Sequence, residues 1–207
     1  MGVSVNLLIA LGIVFVLQLI IPPLTGAFIF DPALALSQPW RFVTSMFLHA
    51  DPTHIFFNGF ALLMFGPLLE RKVSARDFLI IYFGAGLLGG LLYYLTYAVG
   101  IIPPIPALGA SGAIYGILGA CAVLFPDVRI FFMGIVPMSM RTAAVAWFLM
   151  EFLGTFSIDS GVASAAHLGG LIFGLACAWY LRGRKEEQPF AQYSYPAGPA
   201  YSWQNEA

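Results

Sequence analysis

Six apolar runs, each bounded by charges or helix breakers, constrain this chain more than any other feature of its sequence. A helix that crosses a bilayer needs about 20 mostly apolar residues, within a range of about 17–25. The runs predict an all-α polytopic membrane protein, with a six-helix transmembrane domain over residues 1–182. Residues 183–207 show no helical period and are expected to form a flexible cytoplasmic tail. The predicted spans are Val3–Ile21, Thr53–Leu69, Phe78–Val99, Ser111–Phe125, Met138–Phe156 and Ala165–Leu181.

Composition excludes several classes of protein. Of 207 residues, 60% are hydrophobic and 9% are charged, against about 25% charged in an ordinary soluble domain. A water-soluble domain of this size cannot bury so much apolar surface, which excludes a cytosolic globular enzyme and a disordered chain. Nucleic-acid binding needs a basic face, whereas nine Lys and Arg against ten Asp and Glu give a net charge of −1. Cys121 and Cys177 lie inside apolar stretches, so no disulfide framework is expected.

Positive charge predicts the orientation of the spans, because Lys and Arg collect in cytoplasmic loops. Only Arg41 lies in an odd-numbered connection. Both termini are therefore expected in the cytoplasm. The first run lacks a basic leader and a clear cleavage site, so it is interpreted as a span rather than a signal peptide. The other eight basic residues are Arg71, Lys72, Arg76, Arg129, Arg141, Arg182, Arg184 and Lys185.

Two segments depart from a simple bundle. The first loop, Pro22–Pro52, is long and aromatic, which predicts that it lies in the outer membrane interface. The fourth span, Ser111–Phe125, would form about 22 Å of helix, short of a hydrocarbon core of about 30 Å. The uncharged stretch before it must therefore dip inward, and irregular backbone is tolerated there only when it is buried in protein or lines a wet cavity. Ser111 is accordingly expected at a buried helix N-terminus beside a cavity.

Polar residues within the spans are functional candidates, because they are costly in a membrane. His54, Ser111 and His167 each lie near the start of an even-numbered span, so all three are expected at a similar depth in the outer third. Asn58 lies one turn below His54 on the same helix face. A serine and a histidine at one depth suggest a nucleophile and its general base. The Ser111 N–H, His54 and Asn58 could then stabilise a developing oxyanion.

Plainer readings of these residues remain open. Histidine and asparagine in membranes often only join helices through hydrogen bonds. Glu151, near the outer end of the fifth span, is interpreted as an interfacial or hydrogen-bonded carboxylate. Because no acidic residue is obviously placed behind His167, a Ser–His dyad is favoured over a triad. His49 with His54 makes only a weak metal-site pattern, so no metal or cofactor is expected.

Small residues indicate how the helices approach each other. Gly112 and Gly116 form a GxxxG pair directly after Ser111, and Gly170 and Gly174 form another directly after His167. Such pairs allow close packing of helix backbones. Tyr115, one turn below Ser111, could stack beside the His167 ring or could merely pack.

Together these residues resemble the rhomboid family of intramembrane serine proteases. The resemblance covers about residues 37–175, with the motifs in the family's order. Gly-x-Ser-Gly alone would be unspecific, whereas five motifs together are highly specific. They are Trp40-Arg41, the HxxxN of His54 to Asn58, Phe65-Gly66 with Glu70-Arg71, Gly109-Ala110-Ser111-Gly112, and the AHxxGxxxG of Ala166-His167 to Gly174.

The resemblance implies a six-helix bundle whose Ser–His dyad opens to the outer face, with Ser111 as nucleophile and His167 as base. It makes His54, Asn58 and the Ser111 N–H the oxyanion hole and Tyr115 a packing platform for the histidine. The implied partners are the lipid bilayer and single-pass transmembrane substrates, cut in or near their spans. The minimal six-helix form is similar to prokaryotic members, which suggests a plasma membrane.

Two other functions compete with the protease. An inactive relative that binds membrane clients without cutting them would typically lack the serine or the histidine, and both are present here. A transporter would place polar residues near the midplane and the inner face, whereas these cluster in the outer third. The natural substrate, the oligomeric state and the role of the tail are not determined by the sequence.

Overall fold

The computed structural model describes residues 2–132, 134–157 and 161–183, and this part of the chain is mostly helical. The predicted tail from residue 184 onward lies outside the described residues. The helices are α1 Val3–Ile20, α2 Pro23–Phe28, α3 Arg41–Thr44, α4 Pro52–Glu70, α5 Ala75–Ala98, α6 Ser111–Leu124, α7 Met140–Gly154 and α8 Gly161–Leu181, with a 3₁₀ turn at Ser45–Phe47 and strands β1 Arg129–Phe132 and β2 Val136–Ser139.

Four of these helices are long and apolar enough to cross a membrane: α1, α4, α5 and residues 163–181 of α8. Many of their large apolar side chains are exposed on the protein surface, as lipid-facing helices require. The chain is therefore an integral membrane protein. Helix α6 is also apolar but has only 14 residues, in keeping with the short fourth helix expected from the sequence.

The region of the predicted fifth span agrees with the prediction in part. Helix α7 covers Met140–Gly154 of the predicted span Met138–Phe156, and an antiparallel hairpin of β1 and β2, which the sequence did not predict, precedes it. Gly134 occupies the turn with φ +74°, and the Ser139 hydroxyl caps α7 by accepting a hydrogen bond from the Thr142 N–H at 3.2 Å. A short apolar run does not distinguish strand from helix by periodicity. The described chain is mostly helical, this hairpin is its departure from an all-α fold, and the count of six crossings stays a prediction.

The first loop is folded around one buried arginine. The guanidinium of Arg41 donates to the carbonyl oxygens of Gly26, at 3.1 Å, and Ile29, at 2.5 Å, and to the Gln38 side chain at 2.6 Å. Arg41 is only 6% exposed, whereas the neighbouring Trp40 is half exposed. The Arg41 side chain thus stabilises the fold of the loop by hydrogen bonds to backbone carbonyls of the loop. The depth of the loop in the bilayer stays a prediction.

Helix α6 occupies the centre of the bundle and packs against α4, α5, α7 and α8. Its residues from Gly112 to Ala122 are buried, except for Tyr115. The glycines on α6 and α8 have no side chains between the two helices, so the backbones come into direct contact. The expected close approach of these two helices is present, and it places the Ser111 and His167 side chains in contact.

Candidate active site

Ser111 is the first residue of α6, and the backbone before it has an unusual shape. Gly109 adopts φ +125°, a conformation that side chains other than glycine's rarely allow. Its N–H donates to the Ser45 carbonyl oxygen at 2.9 Å, which holds the irregular segment against the first loop. A Cβ at Gly109 would also lie only 2.8 Å from the His54 ring. Glycine is thus required both by the turn that presents Ser111 and by the proximity of His54.

His167, on α8, faces Ser111 directly. Its Nε2 lies 2.7 Å from the Ser111 Oγ. The two residues are 56 positions apart in the sequence, so only the packing of α6 on α8 brings them together. The spacing is that of a hydrogen bond between a hydroxyl and a ring nitrogen, the arrangement needed to activate a serine.

Glu151 is the main departure from the expected site. The sequence suggested that no acidic residue lies behind His167, but the Glu151 Oε1 lies 3.0 Å from His167 Nδ1. That expectation was wrong because α7 packs against α8, which brings Glu151 in the last turn of α7 beside His167. A signal was available in the sequence. A carboxylate near the end of one span needs a partner in a membrane, and His167 lies near the start of the next.

Tyr115 stacks on the face of the His167 ring. The Tyr115 and His167 rings lie with centroids 4.2 Å apart and planes within 6° of parallel. The Tyr115 hydroxyl donates to the Glu151 Oε1 at 2.5 Å. The His167 ring is therefore held by a face-to-face contact and by hydrogen bonds at both ring nitrogens.

His54 and Asn58 line a cavity of about 650 Å³ together with Ser111 and His167. The Ala50 N–H lies 3.5 Å from His54 Nδ1, which favours the tautomer with the proton on Nε2. The Asn58 Nδ2 is buried without a hydrogen-bond partner among the described residues. Two side-chain donors are therefore present in the cavity that contains the serine hydroxyl, and a buried donor without a partner is costly unless a ligand or a reacting group uses it.

His49 lies behind His54 and outside the spans, with the two ring centroids 5.1 Å apart. It is 1% exposed, and the desolvation caused by burial, aided by the neighbouring His54, lowers the pKa of His49 to about 4. Within the described ranges no group of three or more His, Cys, Asp or Glu residues could hold a metal ion. The His49 ring thus packs against His54 beside the site, and neither of its ring nitrogens has a hydrogen-bond partner among the described residues.

Comparison with known proteins places the chain in one family. A family model for the Rhomboid domain matches residues 36–184. The chain is similar to YdcA of Bacillus subtilis (strain 168), which is provisionally named a rhomboid protease. The two are 32% identical over 162 residues, which cover 77% of this chain and 75% of YdcA.

Two longer relatives show the same likeness over part of their length. The rhomboid protease GluP of Bacillus subtilis (strain 168) is 31% identical over 145 residues, covering 70% of this chain and 26% of GluP. The mitochondrial Rhomboid protein 1 of Saccharomyces cerevisiae is 33% identical over 150 residues, covering 70% of this chain and 43% of that protein. Residues 36–184, which the family model matches, contain α4 through α8 and with them Ser111, His167, His54 and Asn58. The chain belongs to the rhomboid family of intramembrane proteases.

Proposed function

We propose that this chain is a serine endopeptidase that cleaves other membrane proteins in or near their spans, with Ser111 as nucleophile and His167 as general base. The observation that carries the proposal is the 2.7 Å contact between Ser111 Oγ and His167 Nε2, at a cavity that also contains two side-chain donors. A lone intramembrane serine is commonplace, but a serine with a base and with donors beside it has the parts that acyl transfer needs.

The reaction would run in two halves. In the first, the Ser111 Oγ forms a bond to the carbonyl carbon of the scissile peptide while its proton passes to His167 Nε2. The C=O π pair moves onto the carbonyl oxygen, and on its return the C–N bond breaks and the leaving nitrogen takes the proton from Nε2. In the second half, a water attacks the acyl-serine, His167 accepts a water proton, and that proton returns to Ser111 Oγ as the acid product leaves.

The oxyanion of each half would be stabilised by donors already in place. These are the backbone N–H of Ser111 at the start of α6, His54 Nε2 and Asn58 Nδ2. A helix N-terminus carries partial positive charge, so the start of α6 favours the developing negative charge. The unused Nδ2 of Asn58 supports this assignment.

The substrates we propose are single-pass membrane proteins that unwind locally. Peptide bonds within a helix are hydrogen-bonded and inaccessible in lipid, so a cleavable bond must lie where the helix opens. We place both termini in the cytoplasm, the site toward the outer face and the protein in a prokaryotic plasma membrane as a six-helix bundle. The distribution of Lys and Arg supports this orientation.

A covalent probe tests the proposal. Purified wild-type protein in detergent would be treated with a fluorophosphonate, and the labelled peptide would be identified by mass spectrometry. Wild type should be labelled at Ser111 and should cut a model single-pass substrate in liposomes. Ser111→Ala and His167→Ala should lose both activities while keeping the wild-type melting temperature to within a few degrees.

The outcomes separate the competing functions. No labelling and no cleavage by a well-folded wild type would replace the protease with an inactive relative that binds membrane clients. Labelling of a different serine would contradict the assignment of Ser111. A solute flux into liposomes that survives Ser111→Ala would favour a transporter.

A further inference from the structure

We infer that Glu151 is a positioning residue of this site, a carboxylate that orients His167 and stabilises its protonated form while Ser111 reacts. The inference rests on the proposed function, since it concerns the same serine and histidine. It extends the predicted dyad to a chain of three residues, drawn from α6, α7 and α8.

The geometry places the carboxylate at the correct ring nitrogen. Glu151 Oε1 lies 3.0 Å from His167 Nδ1, and Ser111 Oγ lies 2.7 Å from His167 Nε2. An ionised carboxylate can only accept hydrogen bonds, so Nδ1 must carry the ring proton when the histidine is neutral. The Nε2 lone pair is then directed at the Ser111 hydroxyl, which is the tautomer that a general base requires.

The carboxylate is itself held in place. Glu151 is 9% exposed, and its Oε1 also accepts the hydrogen bond of Tyr115. The buried Ser164 of α8 donates a further hydrogen bond to the same side chain. Three donors from two other helices therefore surround one carboxylate on α7, as expected for an anion kept away from water.

Glu151 would act through the histidine and not on the substrate. As the Ser111 proton arrives at Nε2 and Oγ bonds to the carbonyl carbon, the ring becomes an imidazolium that retains its Nδ1 proton. The negative carboxylate 3.0 Å away stabilises that positive charge. The proton on Nδ1 stays there throughout, and only the Nε2 proton passes on to the leaving nitrogen.

A graded pair of variants tests this inference. Glu151→Gln keeps the shape of the side chain but removes its charge and can present an N–H to Nδ1. Glu151→Asp keeps the charge on a shorter stem. The readouts are the rate constant for fluorophosphonate labelling of Ser111, and separate kcat and KM values for a model transmembrane substrate.

We expect Glu151→Gln to lower kcat and the labelling rate by roughly 10²- to 10⁴-fold. The upper limit is the loss in kcat, about 10⁴-fold, that follows replacement of the carboxylate by an amide in a serine-protease triad. KM should stay within about twofold, because Glu151 does not contact the substrate. Glu151→Asp should recover part of the rate. The matched control is Glu70→Gln, which removes another hydrogen-bonded carboxylate at the far end of α4 and should leave the labelling rate of folded protein unchanged.

Each outcome decides one question. A folded Glu151→Gln that is labelled at the wild-type rate would overturn the positioning role and leave the proposed protease intact. If Glu151→Gln fails to fold, Glu151→Asp is the deciding variant. A folded Glu151→Asp that labels no faster than His167→Ala contradicts the inference. So does a folded Glu151→Asp whose KM rises while its kcat is unchanged. Failure of the wild type to label at Ser111 would instead contradict the proposed function.

Discussion

The Gly112 carbonyl oxygen on α6 lies so close to Gly170 on α8 that a Cβ at Gly170 would be 1.9 Å from it. The next pair along the two helices repeats the relationship, with the Gly116 oxygen 1.9 Å from a Cβ at Gly174. Backbone rather than side chain would be displaced, so the helices themselves must separate to accept a methyl group. The close approach of α6 to α8, and with it the distance between Ser111 and His167, therefore depends on Gly170 and Gly174 of α8.

Gly170→Ala should lower both stability and activity. Separating α6 from α8 loses packing, and overpacking of this kind typically costs about 1–3 kcal/mol. It should also lengthen the Ser111–His167 contact, so the labelling rate of the folded protein should fall. Thermal unfolding in detergent and fluorophosphonate kinetics measure the two effects. The control is Gly12→Ala on α1, where a Cβ meets nothing within 4 Å. Equal melting temperatures for the two variants would contradict the close-packing argument.

Gly109→Ala should damage the site through His54. The new Cβ would lie 2.8 Å from the His54 ring, and the residue would have to keep φ +125°. Gly100→Ala is the matched control, because Gly100 also has a positive φ, +79°, but has open space around it. Both variants should lose about 1 kcal/mol or more of stability from backbone strain. Only Gly109→Ala should also lower kcat, and a similar kcat in both variants would count against a role for His54 in the reaction.

Asn58→Ala should lower kcat much more than it lowers stability. Its Nδ2 has no partner among the described residues in the resting site, so that donor makes no contact that unfolding would lose. Removing one oxyanion donor typically costs about 10²- to 10³-fold in kcat. Steady-state cleavage of a model substrate measures this loss, and a melting curve provides the comparison. A wild-type kcat in Asn58→Ala would remove Asn58 from the proposed oxyanion hole.

His49 should make the protein less stable in mild acid. Its pKa is about 4 when it is folded and buried, against 6.5 for an ordinary histidine. Between these pH values the unfolded chain binds a proton that the folded chain does not, so the free energy of unfolding falls as the pH drops from about 6.5 toward 4. The slope contributed by one such group is at most about 1.4 kcal/mol per pH unit.

Melting temperatures from pH 7.5 to pH 4.5 would measure that slope. His49→Phe keeps a ring in the buried position and cannot take up a proton, so its melting temperature should vary less over this range than that of wild type. The other titrating groups are shared by both proteins and cancel in the comparison. Identical pH dependence of the two melting temperatures would contradict the burial of a neutral His49.

Much of the site could be predicted from local sequence because its parts lie at helix starts. Ser111 begins α6, His54 lies in the first turn of α4 and His167 lies in the second turn of α8. The period of the helix then determines which face each residue occupies. The short length of α6 likewise follows from the position of Pro126, since proline cannot continue a helix. The glycine pairs directly after Ser111 and His167 predicted which two helices touch, and the structure has them in contact.

The hairpin and the contact distance between Glu151 and His167 could not be predicted in the same way. Whether the apolar stretch before α7 forms strand or helix depends on what packs against it, because β-branched and aromatic residues are accepted in both. The distance from Glu151 to His167 depends on the angle and the register of α7 against α8, which no local pattern encodes.

The sequence by itself determined that this chain enters a membrane, which stretches form its apolar helices, and that a serine, two histidines and an asparagine lie near the starts of three of these helices. These are local properties, governed by hydrophobicity, helix period and breakers. Only the tertiary structure decided that Glu151 contacts the His167 ring on the nitrogen opposite Ser111, and that a hairpin precedes α7. Contacts between residues distant in sequence arise from the packing of whole helices, which is a collective property of the bundle.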